Sequence, residues 1–268
     1  MAYYFYIFYH IFIYFARAYA KYFWENGGNV EQIYTIPVNE AFDAVIEKPE
    51  CGCPVCMLYK RLQEDELDII LGASMMEPDI RIRTNELGFC LTHYNMMLGR
   101  RRMLGMGLIL ESHLDEVEKK LDGPTVSVNR RQAAKEAIGK LEDSCYVCTR
   151  IEKNLSAMIA TVCYLWEVDP DFRRKFNKQP WFCLPHYRAM LEYASKKMPK
   201  KLYADFYDEA HAVEKKYITE LKGDVSWFCK KFDYRYDEEP WYNSKDSVKR
   251  AVKFLGGSFG EEIDPKQK

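Results

Sequence analysis

The sequence lacks most of the features that identify an enzyme or a nucleic-acid-binding protein. Its 39 Lys and Arg residues balance 40 Asp and Glu residues, so no excess of positive charge predicts binding to nucleic acid or to an acidic membrane. It has no phosphate-binding glycine loop and no His-Glu-x-x-His zinc-protease motif. We therefore expect no nucleic-acid partner and no catalysis, and we predict a binding or regulatory protein with an unidentified protein partner.

Alternating runs typical of β-strands are also scarce, and the best short candidate is 80–84. Apolar residues instead recur at three- and four-residue spacing, which predicts helices with one core-facing side. One such stripe comprises Met103, Met106, Leu110, Leu114, Val117 and Leu121 and ends before Asp122-Gly123-Pro124. The other comprises Phe206, Ala210, Val213, Tyr217 and Leu221 and ends at Gly223. The predicted fold class is all-α.

Three further local predictions follow from the same patterns. Asn39 can cap a helix that runs through Phe42 and closes at Pro49. A short helix is expected around residues 248–254. The carboxylates at 64–66 and at Asp68 fall on a predicted helix, where we expect them to face solvent.

The first 29 residues form a separate segment. Residues 2–16 are an uncharged run rich in Tyr, Phe and Ile, which is shorter than the about 20 apolar residues that a bilayer span needs. The segment shows neither the basic start nor the cleavage site of a signal peptide. We predict a mis-annotated leader, with the natural protein beginning near Val30, because Gly27-Gly28 is what a ribosome-binding sequence would encode. The alternative is an anchor at the membrane interface.

Nine cysteines are an odd number in a chain of 268 residues that shows no evident export signal. Secreted disulfide scaffolds are normally shorter and carry an even number of cysteines. Cys-x-x-Cys spacing indicates metal or redox chemistry in a reducing compartment instead. We therefore expect a cytoplasmic protein.

An internal repeat carries most of these cysteines. CPVC at 53–56 precedes FCLTHY at 89–94, and CYVC at 145–148 precedes FCLPHY at 182–187. The two Cys-x-x-Cys motifs lie 92 residues apart, and so do PDIR at 78–81 and PDFR at 170–173. The constant offset predicts two tandem pseudo-repeats, at 30–126 and 127–235, followed by a polar C-terminal tail at 236–268.

The repeated motifs predict two structural metal sites. Cys3His is a common ligand set for zinc, and two residues between ligands let a helix start present both side chains to one ion. We predict one site in each repeat. The ligands of one zinc ion are Cys53, Cys56, Cys90 and His93, and those of the other are Cys145, Cys148, Cys183 and His186. The long loop between ligand pairs adds only about 0.6 kcal/mol of closure entropy per doubling, against roughly 10 to 16 kcal/mol from structural zinc.

Two other uses of these cysteines stay open from the sequence. CPVC resembles a glutaredoxin-type dithiol, so a thiol-redox protein or a redox sensor is one alternative. An iron-sulfur cluster held by Cys3His is another. Cys51, Cys163 and Cys229 lack partners at metal spacing, and we expect them to be ordinary cysteines, with Cys51 able to substitute for a neighbouring ligand. His113 and His211 are expected to be surface or core residues rather than ligands.

Several stretches together resemble an uncharacterised bacterial family of about this length. They are IYTIPVNEAFD, CPVC, GFCLTHY, DSCYVC, FCLPHY and KKFDYR, and they extend over about residues 32 to 250. Members of that family are often labelled ABC-transporter substrate-binding proteins. The resemblance implies a helical protein with the duplicated Cys and His positions named above, and it implies no activity. An exported binding protein needs a lipid-anchoring cysteine near its start, and no such cysteine is evident here.

Overall fold

The structure, a computed structural model, describes residues 32–122 and 129–257, and in these ranges the chain is built from eleven α-helices and contains no strand. The predicted all-α fold class is therefore confirmed. The leader segment 1–29 and residues 258–268 of the tail lie outside the described residues. The helices are α1 (Thr35–Glu47), α2 (Pro54–Ile70), α3 (Pro78–Leu87), α4 (Leu91–Gly99), α5 (Met103–Asp122), α6 (Arg130–Glu142), α7 (Tyr146–Val168), α8 (Pro170–Asn177), α9 (Leu184–Lys197), α10 (Lys200–Lys230) and α11 (Ser247–Gly256).

Helices of the same kind recur at the spacing of the sequence motifs. The starts of α2 and α7 are 92 residues apart, those of α3 and α8 are 92 apart, and those of α4 and α9 are 93 apart. Both α3 and α8 begin with proline at their first turn, a position where the missing N–H costs no hydrogen bond. Each Cys-x-x-Cys motif is therefore followed by one long helix and then by two shorter ones.

Three local predictions are wrong. The strand candidate 80–84 lies inside α3, because Pro78 starts a helix there. Asn39 does not cap α1; it lies within the helix, and its side-chain amide donates to the carbonyl of Thr35 at 3.0 Å. Gly223 does not end α10, which continues to Lys230. The predicted ends of α1 before Pro49 and of α5 at Asp122 agree with the structure, as does the short helix α11.

The two predicted apolar stripes differ in their outcome. All five stripe residues of α10 are buried, as predicted. In α5 the buried residues are Gly105, Met106, Ile109 and His113, whereas Leu114 and Leu121 are 62% and 59% exposed. The buried side of α5 runs through Met106, Ile109 and His113 and shares only Met106 with the predicted stripe. Helix α5 contacts α3 and α6.

The chain divides into two compact units. Among the described residues, unit 1 comprises 32–60 and 155–257, and unit 2 comprises 61–122 and 129–154. The units therefore differ from the sequence repeats, because the chain passes from one unit to the other within α2 and again within α7. None of the helices in the described part of the chain combines the length and apolar character that a bilayer crossing requires.

Aromatic side chains dominate the core of unit 1. Phe42 on α1 packs against Phe172 and Phe176 of α8, with ring centroids 4.8 and 6.3 Å apart. In the described part of the tail, α11 packs on α10, and its Phe254 is 1% exposed with its ring 5.5 Å from that of Tyr217. Residues 247–256 thus contribute to the folded unit, although they lie in the segment predicted to be a polar tail.

The core of unit 2 is mainly aliphatic. Leu67 and Ile70 of α2, Met97 of α4 and Ile109 of α5 are almost inaccessible to solvent. Among the described residues of this unit, Phe89 is the one buried phenylalanine. The centroid of its ring lies 5.5 Å from that of Tyr94. This core surrounds the starts of α4 and α7, where four of the predicted ligands lie.

Candidate metal centres

The structure brings all eight predicted ligands together, in two groups of four. Site A consists of Cys53, Cys56, Cys183 and His186, and site B consists of Cys90, His93, Cys145 and Cys148. In each group the ligand atoms lie within 4.8 Å of one another. The predicted pairing within each repeat is wrong. Each site takes its Cys-x-x-Cys motif from one repeat and its Cys-x-x-His motif from the other.

Site A lies wholly in unit 1 and site B wholly in unit 2. The pairing follows from this division, because the first Cys-x-x-Cys motif precedes the crossing in α2 and shares unit 1 with α9. The second Cys-x-x-Cys motif precedes the crossing in α7 and shares unit 2 with α4.

All four ligand pairs occupy the same position at the start of a helix. The carbonyls of Cys53, Cys90, Cys145 and Cys183 each accept a hydrogen bond from the backbone N–H four residues later, at 2.8 to 3.2 Å. The first cysteine of each motif is therefore an N-cap residue, and the second ligand is the third residue of the helix. These two side chains lie side by side at a helix start, as in a capping box. The spacing of two residues is thus what allows both to reach one ion.

The helix starts also favour thiolate ligands. Unpaired N–H groups and the positive end of the helix dipole stabilise negative charge at this position. In site B the backbone N–H of Cys148 donates to Sγ of Cys145 at 3.5 Å, so the thiol acts as the capping acceptor. Two helix starts converge on each site.

In site A all four side chains are buried, none of them more than 4% exposed. Nδ1 of His186 lies 3.1 Å from Sγ of Cys183, 3.4 Å from Sγ of Cys56 and 3.7 Å from Sγ of Cys53. The Sγ atoms of Cys56 and Cys183 are 3.5 Å apart. The four ligand atoms thus form a small buried cluster around Nδ1 of the histidine.

Site B has the same arrangement with more solvent contact. Nδ1 of His93 lies 3.1 Å from Sγ of Cys90, 3.3 Å from Sγ of Cys145 and 3.4 Å from Sγ of Cys148. The Sγ atoms of Cys90 and Cys148 are 3.9 Å apart. His93 and Cys145 are buried, whereas Cys90 and Cys148 are half-buried.

These distances match the edges of a tetrahedral zinc site. Bond lengths of about 2.3 Å to sulfur and about 2.0 Å to nitrogen place two sulfurs about 3.8 Å apart, and sulfur and nitrogen about 3.6 Å apart. The sulfur–sulfur separations of 3.5 Å in site A and 3.9 Å in site B are far longer than a disulfide bond of about 2.05 Å, and all six cysteines are free thiols. The geometry therefore fits four ligands around one ion in each site.

Without a cation, each cluster distributes its protons unevenly. Hydrogen bonds from Cys145 and Cys148 hold the pKa of Cys90 far below its usual range, while the pKa of Cys148 is raised by its hydrogen bonds with Cys145 and Cys90. Burial lowers the pKa of His93, but its thiol neighbours outweigh burial and raise the pKa to about 9. In site A, burial raises the pKa of Cys183. Three thiolates can coexist at these distances only if positive charge lies among them, and a divalent cation supplies it.

A glycine and a tryptophan shape the edge of site A. Gly52, which precedes the first ligand, has φ +88°, and a Cβ atom there would lie 3.0 Å from the ring of Trp181. That ring stacks on Tyr217 with centroids 5.1 Å apart. Both features were missed from sequence, although glycine beside a ligand cysteine is a usable signal for a left-handed backbone position.

A buried carboxyl also lies near site A. Oε1 of Glu214 accepts from the backbone N–H of Phe182 at 2.8 Å, one residue before Cys183. Burial raises the pKa of Glu214 to about 8. Glu214 thereby fixes the backbone that leads into the second ligand pair, and its position on α10 between stripe residues gave no sign of this role.

Site B has its own supporting contacts. The side-chain amide of Gln63 lies 3.0 Å from Nε2 of His93, on the opposite side of the ring from the thiols. The atom of Gln63 that faces the ring is the amide nitrogen, which donates to Nε2 of His93 only while that nitrogen carries no proton. With a metal on Nδ1 the imidazole proton is on Nε2, and the Gln63 amide would then turn over so that its oxygen accepts that proton. Gly88 has φ +58°, and a Cβ atom there would lie 3.0 Å from the ring of His113. Nδ1 of His113 lies 3.1 Å from the carbonyl oxygen of Asn85.

One carboxylate near site B departs from its predicted position. Glu66 is buried rather than solvent-facing, and its Oε2 accepts from Nε of Arg150 at 3.3 Å. Arg150 lies two residues after Cys148, so the ion pair joins α2 to the start of α7. Glu64, Asp65 and Asp68 are exposed, as predicted.

Cys51, Cys163, Cys229, His113 and His211 stay outside the two groups, in agreement with the prediction. Cys51 and Cys229 are exposed, and Cys163 is buried with its pKa raised by burial. His211 stacks on Tyr207 with centroids 5.6 Å apart. A Gly-x-Ser-x-Gly pattern occurs at 256–260, but it follows the helix α11 rather than the strand that a nucleophile elbow needs, and residues 258–260 lie outside the described part of the chain.

Comparison with known proteins identifies one family. A family model described as a family of unknown function, DUF6062, matches residues 30–262. No curated protein and no solved structure matches the chain.

Proposed function

Because the chain belongs to DUF6062, a family of unknown function, its role has to be inferred from its own residues, and we propose that it is a zinc-binding helical scaffold. In this proposal sites A and B each hold one structural zinc ion. The folded surface then serves as a regulatory or interaction platform for a protein partner in the cytoplasm.

One observation carries the proposal: two separate Cys3His groups each have their four ligand atoms within 4.8 Å of one another. A chance cluster of buried thiols has no reason to include one histidine nitrogen in the same position twice. Cys3His is moreover a ligand set of closed structural zinc sites. The helix starts and the buried surroundings supply the orientation and charge stabilisation that such sites need.

The ligand count favours a structural over a catalytic ion. Catalytic zinc keeps three protein ligands and one position for water or substrate, whereas here four protein ligands fill the tetrahedron. Site A is also closed to solvent. We therefore assign the ions to folding and rigidity and assign them no step of a reaction.

The test is the metal content of protein purified without oxygen, measured by mass spectrometry together with a count of reactive thiols. The expected result is two zinc ions per chain, with the six ligand thiols unreactive until a chelator is added. Cys51 and Cys229 provide an internal control, because they are exposed and should react in the native protein.

Other results would replace the proposal by one of its competitors. Iron with sulfide would convert both sites to iron-sulfur ligation. A metal-free protein in which Cys53 and Cys56 react rapidly would establish thiol redox chemistry and exclude structural zinc.

A further inference from the structure

Helix α5 exposes an apolar stripe that no other described part of the chain covers. Met103, Leu114 and Leu121 are 60%, 62% and 59% exposed, and Leu110 and Val117 between them are half-buried. With Gly107, these positions follow spacings of four and three residues, so they form one straight line along the helix. The side of α5 that faces the core is a different one, which carries the buried residues Met106, Ile109 and His113.

A row of acidic residues runs beside this stripe. Glu111, Asp115 and Glu118 are all exposed and lie on one side of it, away from the core. From Glu111 to Glu118 this row covers about two helical turns and runs beside Leu114 and Leu121. The exposed face of α5 is therefore an apolar line with a negative border.

Helix α11 exposes the complementary pattern. Val248, Val252 and Leu255 are 44%, 65% and 57% exposed, and they lie on one line along the helix, opposite buried Phe254. Lys249 is exposed and Lys253 half-buried, four residues apart beside that line. The exposed face of α11 is an apolar line with a positive border.

The two faces also match in the length of their apolar lines and in the side on which the charged row lies. Val248 and Leu255 are seven residues apart, as are Leu114 and Leu121, and both pairs span about 10 Å. Successive residues of an α-helix are rotated by about 100° about the helix axis. On both helices the charged row is displaced from the apolar line in this same sense of rotation. When two helices pack face to face, rows on the same rotational side meet only in the antiparallel orientation.

We propose that α11 of one copy of this chain packs antiparallel on the exposed face of α5 of a second copy. Apolar burial supplies affinity, and the Lys249 and Lys253 row against the Glu111 and Glu118 row sets the orientation. Two copies of α5 would instead place acidic rows together in the antiparallel orientation. Each chain carries both faces, so the contact is heterologous and either closes into a ring or extends. This inference does not depend on the identity of the bound metal.

The experiment is sedimentation equilibrium of the full metal-loaded chain over a range of concentrations. The wild type should self-associate, and high salt should weaken the association because the charged rows are exposed. The two double variants Glu111→Lys/Glu118→Lys and Lys249→Glu/Lys253→Glu should each lower the association constant by about tenfold or more, because each places like charges together.

Reversing the charges of both α5 and α11 provides the decisive test of the contact. Mixing the two double variants, or combining all four substitutions in one chain, should restore association to near the wild-type level. Glu64→Lys and Lys197→Glu are matched controls on exposed positions of α2 and α9 and should leave it unchanged.

Three outcomes overturn the proposal. The first is a wild type that stays monomeric at about 1 mM. The second is association that responds to the α5 variant and not to the α11 variant, which would indicate pairing of α5 with another surface. The third is association that neither variant alters, which would place the contact elsewhere, for example in residues 1–29.

Discussion

At the scale of single residues, the crossed pairing makes a prediction that metal counting can test. Cys53 and Cys183 share site A, whereas Cys53 and Cys90 share a sequence repeat but no site. Cys53→Ser/Cys183→Ser should therefore retain one zinc ion per chain, because both substitutions damage the same site. Cys53→Ser/Cys90→Ser should retain none. Metal analysis of the two purified double variants distinguishes the pairings, and the reverse result would restore pairing within repeats.

Gly52 is the residue whose backbone matters most beside site A. Gly52→Ala should destabilise the protein by about 1 to 3 kcal/mol, because φ +88° disfavours a Cβ atom and Trp181 leaves no space for it. Thermal unfolding measures the change. Gly139→Ala is the control, since a Cβ atom at that position in α6 meets nothing within 4 Å and should stabilise the helix slightly.

Glu152 on α7 should make stability depend on pH. Burial raises its pKa to about 7, and no partner binds its buried Oε1. Between about pH 4.5 and 7 the folded state keeps a proton that the unfolded state releases, so rising pH lowers the free energy of unfolding. Glu152→Gln removes this term and should gain on the order of 1 kcal/mol over the wild type at pH 8 but not at pH 4, after allowance for partial exposure.

Urea unfolding of both proteins at the two pH values measures this difference. The comparison at each pH cancels the proton release of the thiols, which both proteins share. An equal difference between the variant and the wild type at both pH values would show that Glu152 titrates normally.

At the scale of helices, α5 shows where the sequence becomes ambiguous. It carries two apolar lines, Met106–Ile109–His113 and Met103–Leu114–Leu121, and either can face a core. Ile109→Ala should cost about 2 to 5 kcal/mol, because Ile109 is 1% exposed, while Leu114→Ala should cost about 0.5 kcal/mol or less. Chemical denaturation of the two variants gives both values, and a larger loss for Leu114→Ala would contradict the packing described here.

Helix α10 shows the opposite case. Its five stripe residues form one long line and all five are buried, so spacing alone predicted the buried face. The end of the helix was not predictable, because Gly223 carries too small a penalty to stop a 31-residue helix. The all-α class was likewise predictable, because it rests on apolar spacing within each helix. The candidate ligands were visible in the sequence because Cys-x-x-Cys and Cys-x-x-His are short motifs that occur twice. The supporting contacts of Gln63, Glu214 and Trp181 are long-range, and no local pattern marks them.

At the scale of the whole molecule, spacing could not decide which motifs share an ion. The observed pairs close loops of 127 and 52 residues, against 34 and 35 for pairing within repeats. The difference in closure entropy is only about 1.5 kcal/mol. Packing within each unit outweighs so small a difference in entropy. Because either pairing uses the same eight ligands, the motifs alone do not distinguish the two pairings.

The two sites should lose metal at different rates. Cys90 and Cys148 of site B are half-buried, whereas every ligand of site A is buried, so a chelator reaches site B first. We expect metal release in two phases, each close to one ion per chain, with helical content falling because zinc contributes to folding. Circular dichroism and a metal indicator recorded together test this. Cys90→Ser should abolish the fast phase, and its persistence in that variant would contradict the assignment.

The order of the ligands along the chain, with both halves of site B enclosed between the halves of site A, has a mechanical consequence. When both ions are bound, tension applied at the two ends runs through the metal–ligand bonds of site A and bypasses residues 57–182. Site B carries load only after site A has ruptured. During synthesis on the ribosome site B is completed before site A, because the last ligand of site B emerges 38 residues before the last ligand of site A. The centre assembled first is therefore the one that a pulling unfoldase, such as a degradation motor, would break last.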